Sequence, residues 1–426
     1  MADHSRTGGG GSGRPAAHPF SSIVGNPRLR ALLTSNVFFF GGVWTQTLIL
    51  GWMVFEQTGS EFLLAVFTAV RLLPLLLGPL AGVLSDRFDR LRLLLIAGGW
   101  AFAVLLGLAI LATAGLADYW VLVAGGLALG LAHSPSQPAR SSLVFAFVAP
   151  GQLSNATALS SLVFSGTMMA GPAIGGALVS WLGAPAALWI STLWYAVSLL
   201  ALWPLRRFRD PVRAHHESLG RMLFGGVGRI LRIRVVLAVI IVTVATNALM
   251  WSIYQGFMPV FAEQSLGLDA AGLGALLTCF GAGGIVGSLV LASLGDFPHK
   301  GAVFLGGTAV SAVCWAAFTL STLPWLSFAL MLVAGLASAP FGTLQTTLLL
   351  HATPPTLQGR AVGLQELAIG AQPLASLLIG AAADWIGMSA AGFLSIALLA
   401  LGLVVITLAI PELLRYQGVG PGAASD

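Results

Sequence analysis

The sequence predicts an all-α membrane protein with twelve membrane-spanning helices in two six-helix bundles. The first observation behind this is composition: the 426 residues are 57% hydrophobic and only 8% charged, with a mean hydropathy of +0.91. A soluble domain carries about 25% charged residues. So few charges cannot cover the surface of a soluble protein of this length. The composition therefore excludes a soluble globular protein, a disordered chain and a nucleic-acid-binding protein.

The second observation is a series of long apolar runs. A helix that crosses a bilayer needs about 20 mostly apolar residues. Twelve such runs are predicted at 31–55, 62–85, 93–116, 120–143, 156–180, 186–205, 235–261, 271–294, 302–321, 325–349, 361–383 and 389–411. They are continuous and too long for the alternating strands of a membrane β-barrel.

The third observation is the distribution of basic residues, which carry the net charge of +5. Cytoplasmic loops of membrane proteins are enriched in Lys and Arg. If the N-terminus is cytoplasmic, every Lys and Arg except Arg71 lies in a cytoplasmic segment or at the cytoplasmic end of a helix. We therefore expect both termini in the cytoplasm of a multi-pass protein of a bacterial inner membrane.

A basic segment divides the chain into two halves. We predict a cytoplasmic tail at 1–30, an N-terminal bundle at 31–205, a cytoplasmic linker at 206–234, a C-terminal bundle at 235–411 and a second tail at 412–426. The linker also has apolar residues at helical spacing, so it is either a tether or an amphipathic stretch on the inner leaflet. The second and eighth predicted helices both lead into a cytoplasmic turn that contains Gly and Asp. Such similarity between two halves is typical of transporters built from parallel repeats.

The strongest local motif is the sequence GVLSDRFDR at 82–90. Gly82 permits close helix contact, and Asp86 ends the second helix, where a carboxylate can meet the positive end of another helix. Arg87 and Arg90 hold the loop on the cytoplasmic side. We interpret these four residues as a conformational gate. The alternative is a charged loop that sets orientation alone.

Gly82, Asp86, Arg87 and Arg90 match the signature G-x-x-x-D-R-x-G-R, and the chain thus resembles the major facilitator superfamily, although Asp89 stands at the last glycine of the pattern. The stretches at 26–60, 78–90, 137–161 and 357–387 are similar to the enterobactin-exporter-like, or transmembrane secretion effector, branch. This resemblance implies the superfamily fold, with the gate stabilising the outward-facing state and Asp86 near Arg360 and Gly363.

A second motif lies in the fifth predicted helix at Gly171, Pro172, Gly175 and Gly176. Proline removes a backbone hydrogen bond and kinks a helix, and paired glycines permit bending and tight packing. The motif resembles the core of the superfamily's antiporter motif, which implies export. The alternative is a packing kink of the kind found in any transporter.

Ionisable side chains inside the bilayer usually face a cavity or a partner. Glu366 is the first candidate for a proton carrier, with a structural carboxylate as the alternative. His133 can also titrate, although a lone histidine is more often a hydrogen-bonded structural residue. Arg71 lies near mid-membrane, where it would bind an anionic group of the substrate or neutralise Glu366.

Neutral polar residues on apolar helices are the remaining candidates for a substrate cavity. The predicted cavity set consists of Arg71 together with Asn36, Gln46, Asn247, Trp251, Gln255 and Gln345. Trp44, Tyr254 and Phe341 would supply flat contacts for a drug-like molecule. Interhelical packing and interface anchoring are the alternative role for these aromatic residues.

These features predict a secondary active transporter that exports a small amphipathic compound by alternating access as a proton antiporter. The open alternatives are an uptake permease or uniporter and a lipid-handling membrane protein. No nucleotide-binding or hydrolase motif is present in the sequence, and its two cysteines have no metal-ligand spacing. We therefore expect no enzyme activity, no cofactor, no metal and no nucleic-acid partner. The expected partners are the substrate, protons and lipid, with the chain working as a monomer.

Overall fold

The protein is described by a computed structural model, which covers residue 23 and residues 25–77, 89–149, 152–208, 227–294, 297–354 and 357–416. These residues fold into long helices joined by short turns and form no strand. The helices are α1 Pro27–Thr58, α2 Glu61–Leu72, α3 Arg90–Thr113, α4 Tyr119–Phe147, α5 Leu153–Leu182, α6 Ala184–Leu202, α7 Arg234–Gly256, α8 Ala270–Ser293, α9 Lys300–Thr319, α10 Pro324–Ala352, α11 Gln358–Ile386 and α12 Met388–Ala409.

Within the described chain, 10 helices are long and apolar enough to cross a membrane. The described part of α2 is short, at 12 residues, and a 3₁₀ turn at Leu73–Leu77 follows it. The second half of α4 carries His133, Pro135 and Arg140, which lower its hydropathy. The all-helical membrane fold is therefore confirmed, whereas the count of twelve crossings stays a prediction.

Two helices that we predicted as continuous are interrupted. A π-helical turn at Asn247–Trp251 lies inside α7, and the chain continues past Phe257 as helical turns to Ser265, beyond the predicted end at 261. α11 consists of Gln358–Ile369 and Gln372–Ile386, joined at Gly370. Pro259 follows the end of α7 at Gly256, and Pro373 follows the break at Gly370. Proline has no amide hydrogen for the carbonyl four residues earlier.

At one end of the helix bundle, tight turns on glycine join successive helices, and we call this end the glycine end. Glycines with positive φ make the turns at Gly59, Gly115, Gly183, Gly267 and Gly387. Gly183 and Gly387 have nearly the same backbone angles, φ 80° and ψ 159° against φ 81° and ψ 153°, and each follows an exposed Trp by two residues. This correspondence between the two halves supports an internal repeat. The arginine distribution predicts that the glycine end is external.

The two halves of the chain meet mainly through two helix pairs. α5 packs along α8, and α2 packs along α11. A large apolar core contains residues of both halves. The halves touch toward the glycine end, where a side chain on Gly176 or Gly380 would collide with the other half. A separate apolar cluster around Leu32, Leu94, Leu143 and Leu202 lies at the opposite end of the N-terminal half, which we call the arginine end, and contains no described residue of the C-terminal half. The halves are therefore packed together at the glycine end.

Candidate functional site: a cavity between the two halves

A cavity of about 30 Å³ lies between the two halves, and helices α1, α2, α5, α7 and α8 contribute to its wall. Its lining residues are Trp44, Thr47, Leu48, Gly51, Phe67, Thr68, Arg71, Pro172, Tyr254, Gln255, Gly256, Met258, Pro259, Leu273 and Leu277. Sites for drug-sized molecules measure about 300–1,000 Å³. In this conformation the cavity therefore has room for a single small group only, and a larger cargo requires the halves to separate.

Arg71 is the charged residue of the cavity wall. Its guanidinium donates a hydrogen bond of 2.6 Å to Thr47 Oγ1 and reaches Gln255 Oε1 at 3.5 Å, the outer limit of a hydrogen bond. Thr47 belongs to the N-terminal half and Gln255 to the C-terminal half. The alternative in which Arg71 neutralises Glu366 is not the arrangement seen, since Arg71 directs its donors to these two neutral groups.

From Gln255 a chain of amide hydrogen bonds continues through the C-terminal half. Gln255 Nε2 donates to Gln372 Oε1 at 3.3 Å, and Gln372 Nε2 donates to Asn247 Oδ1 at 3.1 Å. Thr243 Oγ1 reaches Gln345 Oε1 at 3.4 Å one turn further along α7. The structure thus connects Arg71, Gln255 and Asn247 of the predicted cavity set, while Asn247 and Gln345 lie behind the cavity wall.

His133 and Gln46, two further predicted site residues, lie together in the N-terminal half. His133 Nε2 lies 3.3 Å from Gln46 Nε2 and 2.9 Å from the hydroxyl of Tyr195, whose ring is stacked on the imidazole. Tyr195 is fully buried. One imidazole nitrogen is therefore held between an amide of α1 and a phenol of α6.

Arg140 forms a second buried cationic centre, toward the arginine end of α4. It donates to Asn36 Oδ1 at 2.6 Å and Ser35 Oγ at 3.0 Å, and its guanidinium lies 4.0 Å from the ring centre of Phe39. Asn36, which we predicted as a cavity residue, therefore holds this arginine and does not line the cavity. Among the described residues, the buried charged side chains are Arg71, Arg140 and Lys300, with no carboxylate.

Glu366 lies on the first segment of α11, one turn before Gly370. A side chain on Gly370 would touch Leu76, at the end of the 3₁₀ turn after α2. Residues four apart share one helix face, so Glu366 lies on the side of α11 that faces α2, and it is exposed. This position is at the seam between the halves, nearer the arginine end than Arg71.

The predicted antiporter-like motif lies at a junction of three helices. A side chain at Gly171 or Gly175 would collide with α1 at Trp44 or Thr45, and one at Gly176 would collide with the backbone of α8. Pro172 lines the cavity. The motif therefore provides close contact within the N-terminal half and across to the C-terminal half, while its role in export stays a prediction.

Of the predicted gate, Gly82, Asp86 and Arg87 lie outside the described residues. Arg90 is described and begins α3. Asp89, which departs from the superfamily pattern, accepts a hydrogen bond from the Arg92 amide at 3.0 Å and caps this helix. An N-cap carboxylate is favoured at such a position, which gives Asp89 a local structural role.

Several residues of these networks were not among the predicted site residues. Thr47, Gln372 and Tyr195 each hold a predicted residue in place. The sequence Gln372-Pro373 signals a helix restart and was the available clue for Gln372. Trp251 packs edge-on against Tyr254 and Phe280 and lies outside the cavity wall.

Two helical halves that pack together at one end, with a cavity between them, form the architecture of a transporter of the major facilitator type. Solved structures of this type agree in fold. A peptide transporter of the POT type superposes with a TM-score of 0.75 at 14% identity over 91% of this chain and 95% of the other. A bacterial homologue of the human lysosomal transporter Spinster, in an inward-facing and unoccupied conformation, gives a TM-score of 0.68 at 14% identity over 91% and 97%.

The chain belongs to the transmembrane secretion effector family, whose profile matches residues 18–417. It is similar to the multidrug efflux pump Tap of Mycobacterium tuberculosis (strain ATCC 25618 / H37Rv), with 28% identity over 391 residues, 88% of this chain and 91% of the relative. The multidrug efflux pump Tap of Mycolicibacterium fortuitum is 27% identical over 85% of this chain and 90% of its own length. The protein is thus a multi-pass membrane transporter.

Proposed function

We propose that this transporter exports a small amphipathic compound across a bacterial inner membrane, in exchange for protons, by alternating access. The observation that carries the proposal is the cavity at the contact of the two halves, in whose largely apolar wall a few polar groups lie. Its wall contains Arg71 from one half and Gln255 from the other, so opening and closing of the halves alters the site itself. The efflux relatives support the direction of transport.

In this proposal the two bundles at 31–205 and 235–411 rock against each other, with both termini in the cytoplasm. The structure corresponds to the stage in which the glycine end is closed. Cargo then enters from the arginine end, and separation of α5 from α8 and of α2 from α11 releases it on the other side.

Glu366 is the proposed proton carrier, with His133 as the second candidate. Glu366 is exposed in this conformation, which gives it access to protons. Its position at the α2–α11 seam means that movement of the halves alters this access. His133 is held by Gln46 and Tyr195, whose hydroxyl can pass a proton or hold one. A carrier must lose its partner or its access as the halves move, and Glu366 meets this requirement through its position.

The experiment uses everted membrane vesicles and right-side-out vesicles from an efflux-deficient host that expresses the full chain. Ethidium, Nile red and 2-naphthoate serve as cationic, neutral and anionic probes. We expect uptake of at least one probe into everted vesicles, dependent on an imposed pH gradient. Uptake confined to right-side-out vesicles would establish an importer, and transport indifferent to the gradient would establish a uniporter.

Glu366→Gln tests the coupling, with Glu56→Gln as its matched control, because Glu56 is an exposed carboxylate at the glycine end of α1. We expect Glu366→Gln to lose gradient-driven transport while it still exchanges probe down a concentration gradient. Full gradient-driven transport by this variant would refute the assignment of Glu366 without refuting export.

A further inference from the structure

Three residues of the cavity wall each carry a buried polar group that has no hydrogen-bond partner among the described residues. These groups are the indole N–H of Trp44, the Nε–H of Arg71 and the hydroxyl of Tyr254. Arg71 is 8% exposed and Tyr254 is 5% exposed. A buried polar group without a partner is unfavourable, because it has lost its hydrogen bonds to water. Each of these three groups is buried in this conformation, but all three belong to residues that line one small cavity. A ligand that enters as the halves separate would supply the missing partner.

The chemistry of these groups selects the ligand. An indole N–H and a guanidinium N–H are donors only, and a phenol hydroxyl can donate. The cavity wall carries the positive charge of Arg71, and none of its described lining residues is a carboxylate. An acceptor that bears negative charge would satisfy all three donors, whereas a cationic group would meet repulsion from Arg71 and find few acceptors.

The guanidinium is held through its two terminal nitrogens, and its Nε is buried. Thr47 and Gln255 engage the two terminal nitrogens, which leaves Nε unpaired. Arginine presents its donors in a planar fork that matches a carboxylate. Trp44 and Tyr254 approach edge to face, with ring centres 6.5 Å apart, and so lie on neighbouring parts of the same wall.

The size of the cavity sets how much of a ligand it takes. A volume of about 30 Å³ suits one small group and not a whole drug-sized molecule. The apolar remainder of the wall, which includes Leu48, Phe67 and Leu277, suits the carbon atoms next to such a group.

We propose that this cavity is an anion subsite in which Arg71, Trp44 and Tyr254 bind the carboxylate or other anionic acceptor group of the cargo. The inference rests on the proposed export function and gives its substrate class: amphipathic anions. The same chemistry would accept a free inorganic anion, so the experiment distinguishes the two sources.

The test measures binding of three matched probes to the purified full-length protein in a buffer of low ionic strength that contains neither chloride nor a carboxylate: 2-naphthoate, neutral 2-naphthamide and cationic 2-naphthylmethylammonium. We expect naphthoate to bind most tightly. Arg71→Gln should weaken the binding of naphthoate about tenfold or more, as loss of a charged hydrogen bond does. The affinity for naphthamide should stay within about twofold of that of the unaltered protein. Arg71→Lys should give an intermediate loss, because it keeps the charge without the fork.

Trp44→Phe and Tyr254→Phe guard against a result caused by misfolding, since each removes one donor and keeps the ring. Both should weaken naphthoate selectively. Two results would overturn the proposal: naphthoate binding no tighter than naphthamide in the unaltered protein, or equal losses for the neutral and anionic probes in all three positions. Export of Nile red or ethidium in the vesicle experiment would then leave the export function standing.

A chloride titration separates the two sources of the anion. If chloride displaces naphthoate from the unaltered protein and not from Arg71→Gln, a free anion shares the subsite. If chloride fails to displace it while the selective losses hold, the subsite is specific for the anionic group of the cargo.

Discussion

Gly176 of α5 and Ala270 of α8 lie in backbone contact: a methyl group on Gly176 would collide with the Ala270 carbonyl oxygen and with Gly274. The contact joins the two halves near the glycine end, where Gly274 in turn reaches the Pro172 carbonyl. Small residues allow helices in a membrane to approach this closely. The antiporter-like motif is thereby part of the closure itself.

Gly176→Ala is expected to prevent full closure of the glycine end, because the colliding partner is backbone and cannot rotate away. Gly166→Ala is the control in the same helix, since a side chain there meets nothing within 4 Å. Alanine favours helix over glycine by about 1 kcal/mol, so neither change weakens α5 by propensity.

Spin labels at Leu116→Cys and Trp325→Cys report this closure in a background with Cys279 and Cys314 replaced by Ser. Both label sites are exposed, at 62% and 68%, and lie in opposite halves. We expect electron–electron distances to widen in Gly176→Ala and to stay unchanged in Gly166→Ala. Equal distances in both variants would show that the Gly176 contact does not limit closure.

The amide chain behind the cavity predicts a coupled loss of stability. Gln372→Leu removes a partner from both Gln255 and Asn247, with Gln372 only 2% exposed. Leaving such groups unpaired should lower the free energy of unfolding by about 1–3 kcal/mol. Gln345→Leu should cost less, because its hydrogen bond to Thr243 is long, at 3.4 Å.

Unfolding of the purified protein in mixed detergent micelles measures these losses, and the double variant Asn247→Leu/Gln372→Leu tests the coupling. The double variant should lose less than the sum of the single variants, since each single change strands the other residue. Strictly additive losses would contradict the amide chain.

The long helices could be predicted from the sequence because lipid imposes a simple length and composition rule. The cavity candidates were harder. Polar residues such as Asn36 and Gln255 are recognisable as unusual, but their direction depends on helix rotation and on interruptions such as the break at Gly370. Asn36 holds Arg140, while Gln255 reaches the cavity. Tertiary packing decides between these two outcomes, and one sequence does not contain it.

The contacts of Arg140 predict that Arg140 and Asn36 are coupled in their effect on stability. No carboxylate of the described segments pairs with the buried charge of Arg140, which depends on Asn36, Ser35 and the face of Phe39. Asn36→Leu should lower the free energy of unfolding by about 1.5–3 kcal/mol, the range for a hydrogen bond to a charged group. In an Arg140→Met background the same change should be nearly neutral, because no charge remains to be satisfied.

The prediction is checked by unfolding four proteins in mixed detergent micelles: the unaltered protein, Asn36→Leu, Arg140→Met and the double variant. Probe binding provides the control. Neither change should alter the ratio of naphthoate to naphthamide affinity, because Arg140 and Asn36 lie outside the cavity wall. A cost for Asn36→Leu that persists in the Arg140→Met background would mean that Asn36 acts through packing and not through the cation.

Asp269 predicts how closure of the glycine end responds to pH. Its Oδ2 accepts a hydrogen bond from Ser180 at 2.7 Å across the α5–α8 contact, and its Oδ1 accepts one from the Gly272 amide at 2.9 Å. The Ser180 hydroxyl, followed by the Gly272 amide, lowers the pKa of Asp269 from its ordinary value of 3.8. The ionised carboxylate therefore favours the closed end.

A lowered pKa in the closed state means that this stabilisation is fully present above the ordinary pKa and is lost as the pH falls through the lowered one. Titration of Asp269 should thus leave the distance between the labels at positions 116 and 325 constant between about pH 7.5 and 5. The distance should widen only below about pH 4. Ser180→Ala should move this acid-induced opening to higher pH, and Asp269→Asn should abolish it. An opening near pH 6 that survives Asp269→Asn would assign the response to another group and remove Asp269 from the pH dependence of closure.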